Sequence, residues 1–211
     1  MNEAFELNDK IKVMQKEFDK EQKKQVMKIR ESLYYDKKGF DIPFQNVSNN
    51  QSLGKYAEKN LAEISKFINK DKLVIKQIGI DLTKGREKAA RGTIWINNKT
   101  PDHMIGHEYG HLLEDSNNDV HKKVYQFLQD RTKGESEIQL NKLLPDHGYG
   151  SEEYVKKDKF IEPYMGKSYT GKTNTEILSM GLQMIMEDPY RLAIQDPEYF
   201  DLIIGILHGV E

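Results

Sequence analysis

Three histidines recur at steps of four in the stretch DHMIGHEYGHLLED, from Asp102 to Asp115, and a glutamate directly follows the middle one. In a helix of 3.6 residues per turn, side chains four apart lie one above the other, so His107 and His111 can aim imidazole nitrogens at one point. Two neutral imidazoles supply half of the tetrahedral ligand set that zinc takes, at about 2.0 to 2.1 Å each. Glu108 is turned about 100° from His107 around the helix, out of the ligand set and toward a metal-bound water, where a general base belongs. The order His-Glu-x-x-His is a metalloprotease hypothesis when it falls on a helix. With 6 His and 19 Glu in 211 residues, random draws would produce it only about 0.015 times per chain. The competing reading is an ordinary amphipathic helix with satisfied polar histidines and an exposed Glu108.

A catalytic zinc takes three protein ligands and keeps one position open. The chain has no cysteine, so the third ligand must be another histidine or a carboxylate. His103 shares the helix face but stands about 12 Å from His111 along the axis, too far for one ion. Asp115 can point the same way as His111 or serve as a solvated helix-end acid, and His121, His147 and His208 stand alone in the sequence. A glycine three residues and a histidine six residues beyond the motif would mark metzincins, but those positions hold Glu114 and Asn117. Glu176, in TNTEILSMGLQMIMED, is the better candidate. It opens a second amphipathic helix whose Ile177, Met180 and Met184 bury one side, and its place in the first turn lets it project toward the site. Asn174 or Thr175 is placed to cap that helix.

The pairing of HEYGH with NTEILSMG, whose Glu176 lies 65 residues after His111, resembles the gluzincin pattern. That resemblance spans roughly residues 91–181 and implies a zincin-like domain with Zn2+ held by His107, His111 and Glu176 and with Glu108 as general base. Gly110 also fits the clan, in which a glycine before the second motif histidine lets another helix approach closely. The anthrax lethal factor-like group adds a tyrosine two helical turns before the ligand glutamate, and Tyr169 stands seven residues before Glu176. It is the implied stabiliser of the oxyanion, with Tyr154 and Tyr164 as nearby rivals. Ser179 is placed to orient Glu176, and Met180 stands where many gluzincins carry an acid. TEILSMG together with DPEYFDLIIGIL is also similar to uncharacterised proteins of phage and mobile elements, including extensions of minor head proteins. The implied activity is zinc-dependent hydrolysis of peptide bonds in a peptide or protein substrate. The alternative is a zincin-fold module of a phage head or toxin assembly that is non-catalytic or processes only itself.

The elements that must position these residues follow from hydrophobic spacing. Apolar residues at Leu7, Ile11, Met14, Phe18, Val26, Ile29 and Leu33 predict a long helix over residues 2–35, with Glu21 and Gln22 breaking the seam. It is expected either to pack on its own domain or to serve as an arm for a partner or a second copy. YYDKKGFDIPFQNVSNNQS reads as a linking loop, which divides the chain into an N-terminal helical arm, 1–40, and a main domain, 41–211. A helix is expected over 52–69, then strands in KLVIKQIGIDL and RGTIWINN, rich in β-branched residues. The second strand is expected to offer an edge to an extended substrate, with Trp95 or Ile96 beside the cleft, although plain core packing suits Trp95 better. Thr100 or Asp102 should cap the motif helix, with Pro101 in its first turn. Further helices are predicted over 120–131, 135–144, 175–187 and 197–207. The fold class is therefore α+β, helix-rich with a small mixed sheet beside the motif helix.

Thirty-two basic and 34 acidic side chains nearly balance, so no strong field points to nucleic acid or an anionic membrane. The first twenty residues lack the apolar core of a secretory signal, and no window approaches the roughly 18 to 20 apolar residues of a membrane span. A soluble, cytoplasmic protein is expected, with release by a route needing no such signal compatible with the sequence.

Overall fold

The computed structural model describes residues 2–73, 76–169 and 171–210, with side chains from residue 10 onward. Its class is α+β, with a small mixed sheet and a long N-terminal helix. The long helix α1 spans Asn2–Ser32. Residues 10–25 are exposed throughout, including Ile11, Met14 and Phe18 of the expected seam. Leu7, the first member of that seam, lies outside the described side chains. The end of α1 and the chain just after it are fastened by Glu63, whose carboxylate accepts from Arg30 Nη2 at 3.1 Å and the Tyr34 hydroxyl, and also from its own neighbour Lys66 Nζ at 2.7 Å.

The expected linking loop contains a short strand, β1 (Phe44–Asn46), and Asn50 then caps α2 (Gln51–Ser65) by accepting from the Leu53 amide. Strands β2 (Ile78–Leu82), β3 (Lys88–Ala90) and β4 (Thr93–Ile96) complete a mixed sheet in the order β1-β2-β4-β3. Val74 and Ile75, part of the first expected strand, lie outside the described residues. Ile80 on β2 is paired with Ile94 on β4, and both are fully buried with Ile96 against the helices. Alternation turns Trp95 the other way, where it is half-buried beneath the Lys88 ammonium.

β4 is no edge: β2 pairs with it on one side and β3 on the other, so its backbone cannot receive a substrate. The outer strand beside the cleft is β3, whose three residues are too few to show a period in sequence. Thr100 also does not cap the motif helix. Its hydroxyl accepts from the Asn97 amide and donates to Glu87, and Pro101 occupies the cap position without a side-chain bond.

The motif lies on α3 (Asp102–Ser116), followed directly by α4 (Asn118–Arg131). The region expected to be helical over 135–144 is instead β5 (Ile138–Gln139) running into the single turn α5 (Leu140–Leu143). β5 pairs with β6 (Tyr154–Val155), which pairs in turn with β7 (Lys167–Ser168), so a second, antiparallel sheet captures Ile138 before a helix can start. The chain ends in α6 (Ile177–Glu187), a short helix α7 (Pro189–Gln195) not expected from sequence, and α8 (Pro197–His208). Among the described residues, no helix is long and apolar enough to cross a membrane.

Helices α3 and α6 cross with their backbones nearly touching. A methyl group at Gly110 would lie 2.6 Å from Ser179 Cα and 3.0 Å from the Leu178 carbonyl oxygen, both backbone atoms that cannot swing aside. Gly106, one turn earlier, faces the Met186 sulfur in the same crossing. Alanine favours a helix interior over glycine by about 1 kcal/mol. Here overpacking should exceed that gain, and Gly110→Ala is predicted to lower stability by about 1 to 3 kcal/mol. Urea unfolding of the metal-free protein checks this, and an unchanged or raised midpoint would contradict it.

Candidate metal centre

The crossing of α3 and α6 brings the two motif histidines to Glu176. Glu176 occupies the position just before α6, as its N-cap residue and not inside its first turn. Its Oε2 lies 3.4 Å from His107 Nε2 and 3.2 Å from His111 Nε2. One ligand-type atom from each of the three residues falls within 4.8 Å of the others, so this group could hold a metal ion. Glu176 is 1% exposed and His107 6%, and His111 is half-buried on the cleft side.

Each donor is oriented by a neighbour. His107 Nδ1 lies 3.0 Å from Gln183 Oε1, which fixes the proton on Nδ1 and leaves the Nε2 lone pair directed at Glu176. Ser179 Oγ donates to Glu176 Oε2 at 2.8 Å, and the Tyr169 hydroxyl donates to Oε1. Lys167 Nζ stands 3.9 Å from the same Oε1 and donates to Glu153 at 3.1 Å. Thus the small second sheet, through Lys167 and the adjoining Tyr169, furnishes one side of the site.

Protonation states follow from burial and charge. Burial pushes His107 down to about 4, which keeps its imidazole neutral near pH 7. Burial would raise Glu176, but the hydrogen bond and charge of His111 overcome it and hold the carboxyl at about 2. His111 is drawn up by the same contact, against its own burial. Burial raises Glu108 to about 7, and burial together with Glu176 pushes Tyr169 far above the usual phenol range. A neutral His107 and an ionised Glu176 are the forms that bind metal.

The group opens onto a cleft of about 820 Å³. Residues 86–91, including β3, line part of it, and Tyr149 and Tyr164 line another part with ring centroids 5.6 Å apart. Glu108 lines the cleft beside His107 and His111. Of the other sequence candidates, His103 is half-buried in the first turn of α3, outside the group. Asp115 and His147 lie on the cleft wall, His121 bonds to Glu114, and His208 meets the Leu33 carbonyl. Tyr154 belongs to β6, and the Tyr164 hydroxyl accepts from Lys167 and Arg86.

Gln183 escaped the sequence reading. Its seven-residue spacing from Glu176 places both on one face of a helical pattern, the available signal, but nothing local says that this face meets His107. No protein-family model matches the chain, and neither a curated protein nor a solved structure matches it.

Two measurements follow from the geometry. Titration with divalent metal ions should raise the melting temperature, and a chelator should reverse the rise; metal at about 1,000 times its dissociation constant contributes about 4 kcal/mol. Gln183→Ala should weaken binding of the best ion by about 10- to 100-fold in a competition titration, and undiminished affinity would contradict its orienting role.

Proposed function

We propose that the chain is a zinc-dependent metallopeptidase of the gluzincin type. The observation that carries this reading is the convergence of His107, His111 and Glu176 within 4.8 Å, beside Glu108 in an open cleft. Two imidazole nitrogens and a carboxylate oxygen suit zinc, and three protein ligands leave a position for substrate or water. When bound, zinc supplies Lewis acidity to a water and to the carbonyl oxygen of the scissile bond.

The chain's own groups do the rest. Glu108 accepts the water's proton at its carboxylate and hands it to the departing amine. Tyr169, whose burial keeps its phenol protonated, donates its hydrogen to the oxyanion; at rest that hydrogen is held by Glu176. An extended peptide adds to the outer edge of β3, taking main-chain hydrogen bonds at residues 88–90.

Glu108→Gln separates turnover from metal binding. Zinc affinity should persist, while cleavage of a mixed peptide library, read by mass spectrometry, falls by about 10²- to 10⁴-fold. Cleavage that survives the substitution would refute the role of Glu108. A wild-type protein that binds zinc yet cleaves neither the library nor its own chain would favour the non-catalytic alternative.

A further inference from the structure

One turn beyond His111, α3 carries a second buried acid. Glu114 is 2% exposed and faces the segment that leads into the ligand helix. Its Oε1 accepts from the Thr175 amide at 3.2 Å and its Oε2 from the Thr175 hydroxyl at 3.0 Å. His121 Nδ1 lies 3.1 Å from Oε1, and the other ring nitrogen of His121 meets Thr173 Oγ1 at 2.9 Å. The Thr175 hydroxyl in turn accepts from the Ile177 amide at 3.2 Å. Segment 171–175 has no regular structure among its described residues, and Glu176 follows it immediately.

We propose that Glu114 is the positioning residue of the metal centre, a buried carboxylate clasp that registers Thr175, and through it Glu176, on the helix carrying both histidines. The inference rests on the metal-binding reading for its purpose, though the clasp itself requires no metal. α6 fixes Glu176 from the C-terminal side through the close packing of Ser179 on Gly110. On the N-terminal side Asn174 reaches Asp115 at 3.5 Å and Thr173 meets His121, and the clasp adds the two bonds at the residue next to Glu176. All three metal-binding side chains are then referenced to one rigid element: two lie on α3, and the third stands one residue beyond a bidentate anchor to α3.

The chemistry calls for a carboxylate. Thr175 places a donor at each oxygen, and His121 adds a contact at one of them. A glutamine has one acceptor oxygen and sets an NH2 group against the remaining donor. With both Thr175 donors buried, that mismatch falls on the backbone next to Glu176.

The test uses the full chain, zinc alone, and four proteins: wild type, Glu114→Gln, Glu176→Ala and the double variant. Competition against a chromophoric chelator should show Glu114→Gln weakening zinc about 10- to 100-fold, the size typical of supporting groups. In the Glu176→Ala background the same substitution should change affinity less than about 2-fold, because a residue acting through Glu176 has nothing left to position. Equal losses in both backgrounds would make Glu114 a general stabiliser and overturn the proposal, as would an undiminished affinity of the single variant. Hydrogen exchange on the metal-free protein gives a separate readout. Glu114→Gln should speed exchange at the Thr175 and Ile177 amides at least about 10-fold and leave those of His107 and His111 unchanged; unaltered exchange at Thr175 would overturn the clasp. Wild type that binds no zinc but shows the exchange effect would remove the metal reading, and with it the positioning role, while keeping the clasp. If Glu114→Gln fails to fold, Thr175→Val removes one donor and should shift both readouts in the same direction.

Discussion

An ionised carboxylate withdrawn from water costs several kcal/mol unless donors or a cation meet it, and Glu176 is 1% exposed. Its neighbours are arranged around that constraint. Tyr169 and Ser179 donate one hydrogen bond each, His111 Nε2 stands 3.2 Å from Oε2, and Lys167 stands near Oε1. The hydroxyls leave the carboxylate its charge, and His107, driven neutral by burial, leaves a lone pair beside it. Two imidazole nitrogens and a carboxylate oxygen grouped in this way are a donor set that suits a borderline cation.

This arrangement depends on two helices coming closer than most side chains permit. Gly106 and Gly110 strip one face of α3, and Gly110 lets the Ser179 backbone settle against it. The separation of four that aligns His107 with His111 also aligns Gly106 with Gly110. One periodicity therefore sets the two histidines on one side of α3 and the groove for α6 on another. The β-sheet contributes a floor, through buried Ile80, Ile94 and Ile96, and a rim through β3. The second sheet contributes Lys167 and leads into Tyr169.

What the sequence discloses follows the range of the physics involved. The motif helix and the helix bearing Glu176 are legible because their periodicity spans more than two turns, and local spacing alone gives the His107–His111 clamp. Only resemblance marks Tyr169 in the sequence, because its contact with Glu176 depends on the turn after β7. Strands of two or three residues, such as β3, β5 and β7, show no alternation to read. Residues 135–144 mislead because Leu140, Leu143 and Leu144 are spaced as a helical face, whereas pairing of Ile138 with Val155 makes the start of the window a strand. Gln183 and Glu114 were invisible as functional residues for a different reason. Each acquires its partner only through the α3–α6 crossing, 76 residues from His107 in one case and 61 from Thr175 in the other.

The exposed stripe of Ile11, Met14 and Phe18 on α1 takes no part in the site, and the anchoring of the following chain through Glu63 keeps that helix joined to the domain. Whether Glu176 joins the two histidines on a metal decides the functional reading. A crystal structure of the zinc-loaded protein tests it most directly. The expected result is zinc bound by His107 Nε2, His111 Nε2 and a Glu176 carboxylate oxygen, the last at about 2.0 to 2.2 Å, with Glu108 outside the ligand set. Zinc held by the two histidines with Asp115, His147 or Glu108 in place of Glu176 would contradict it.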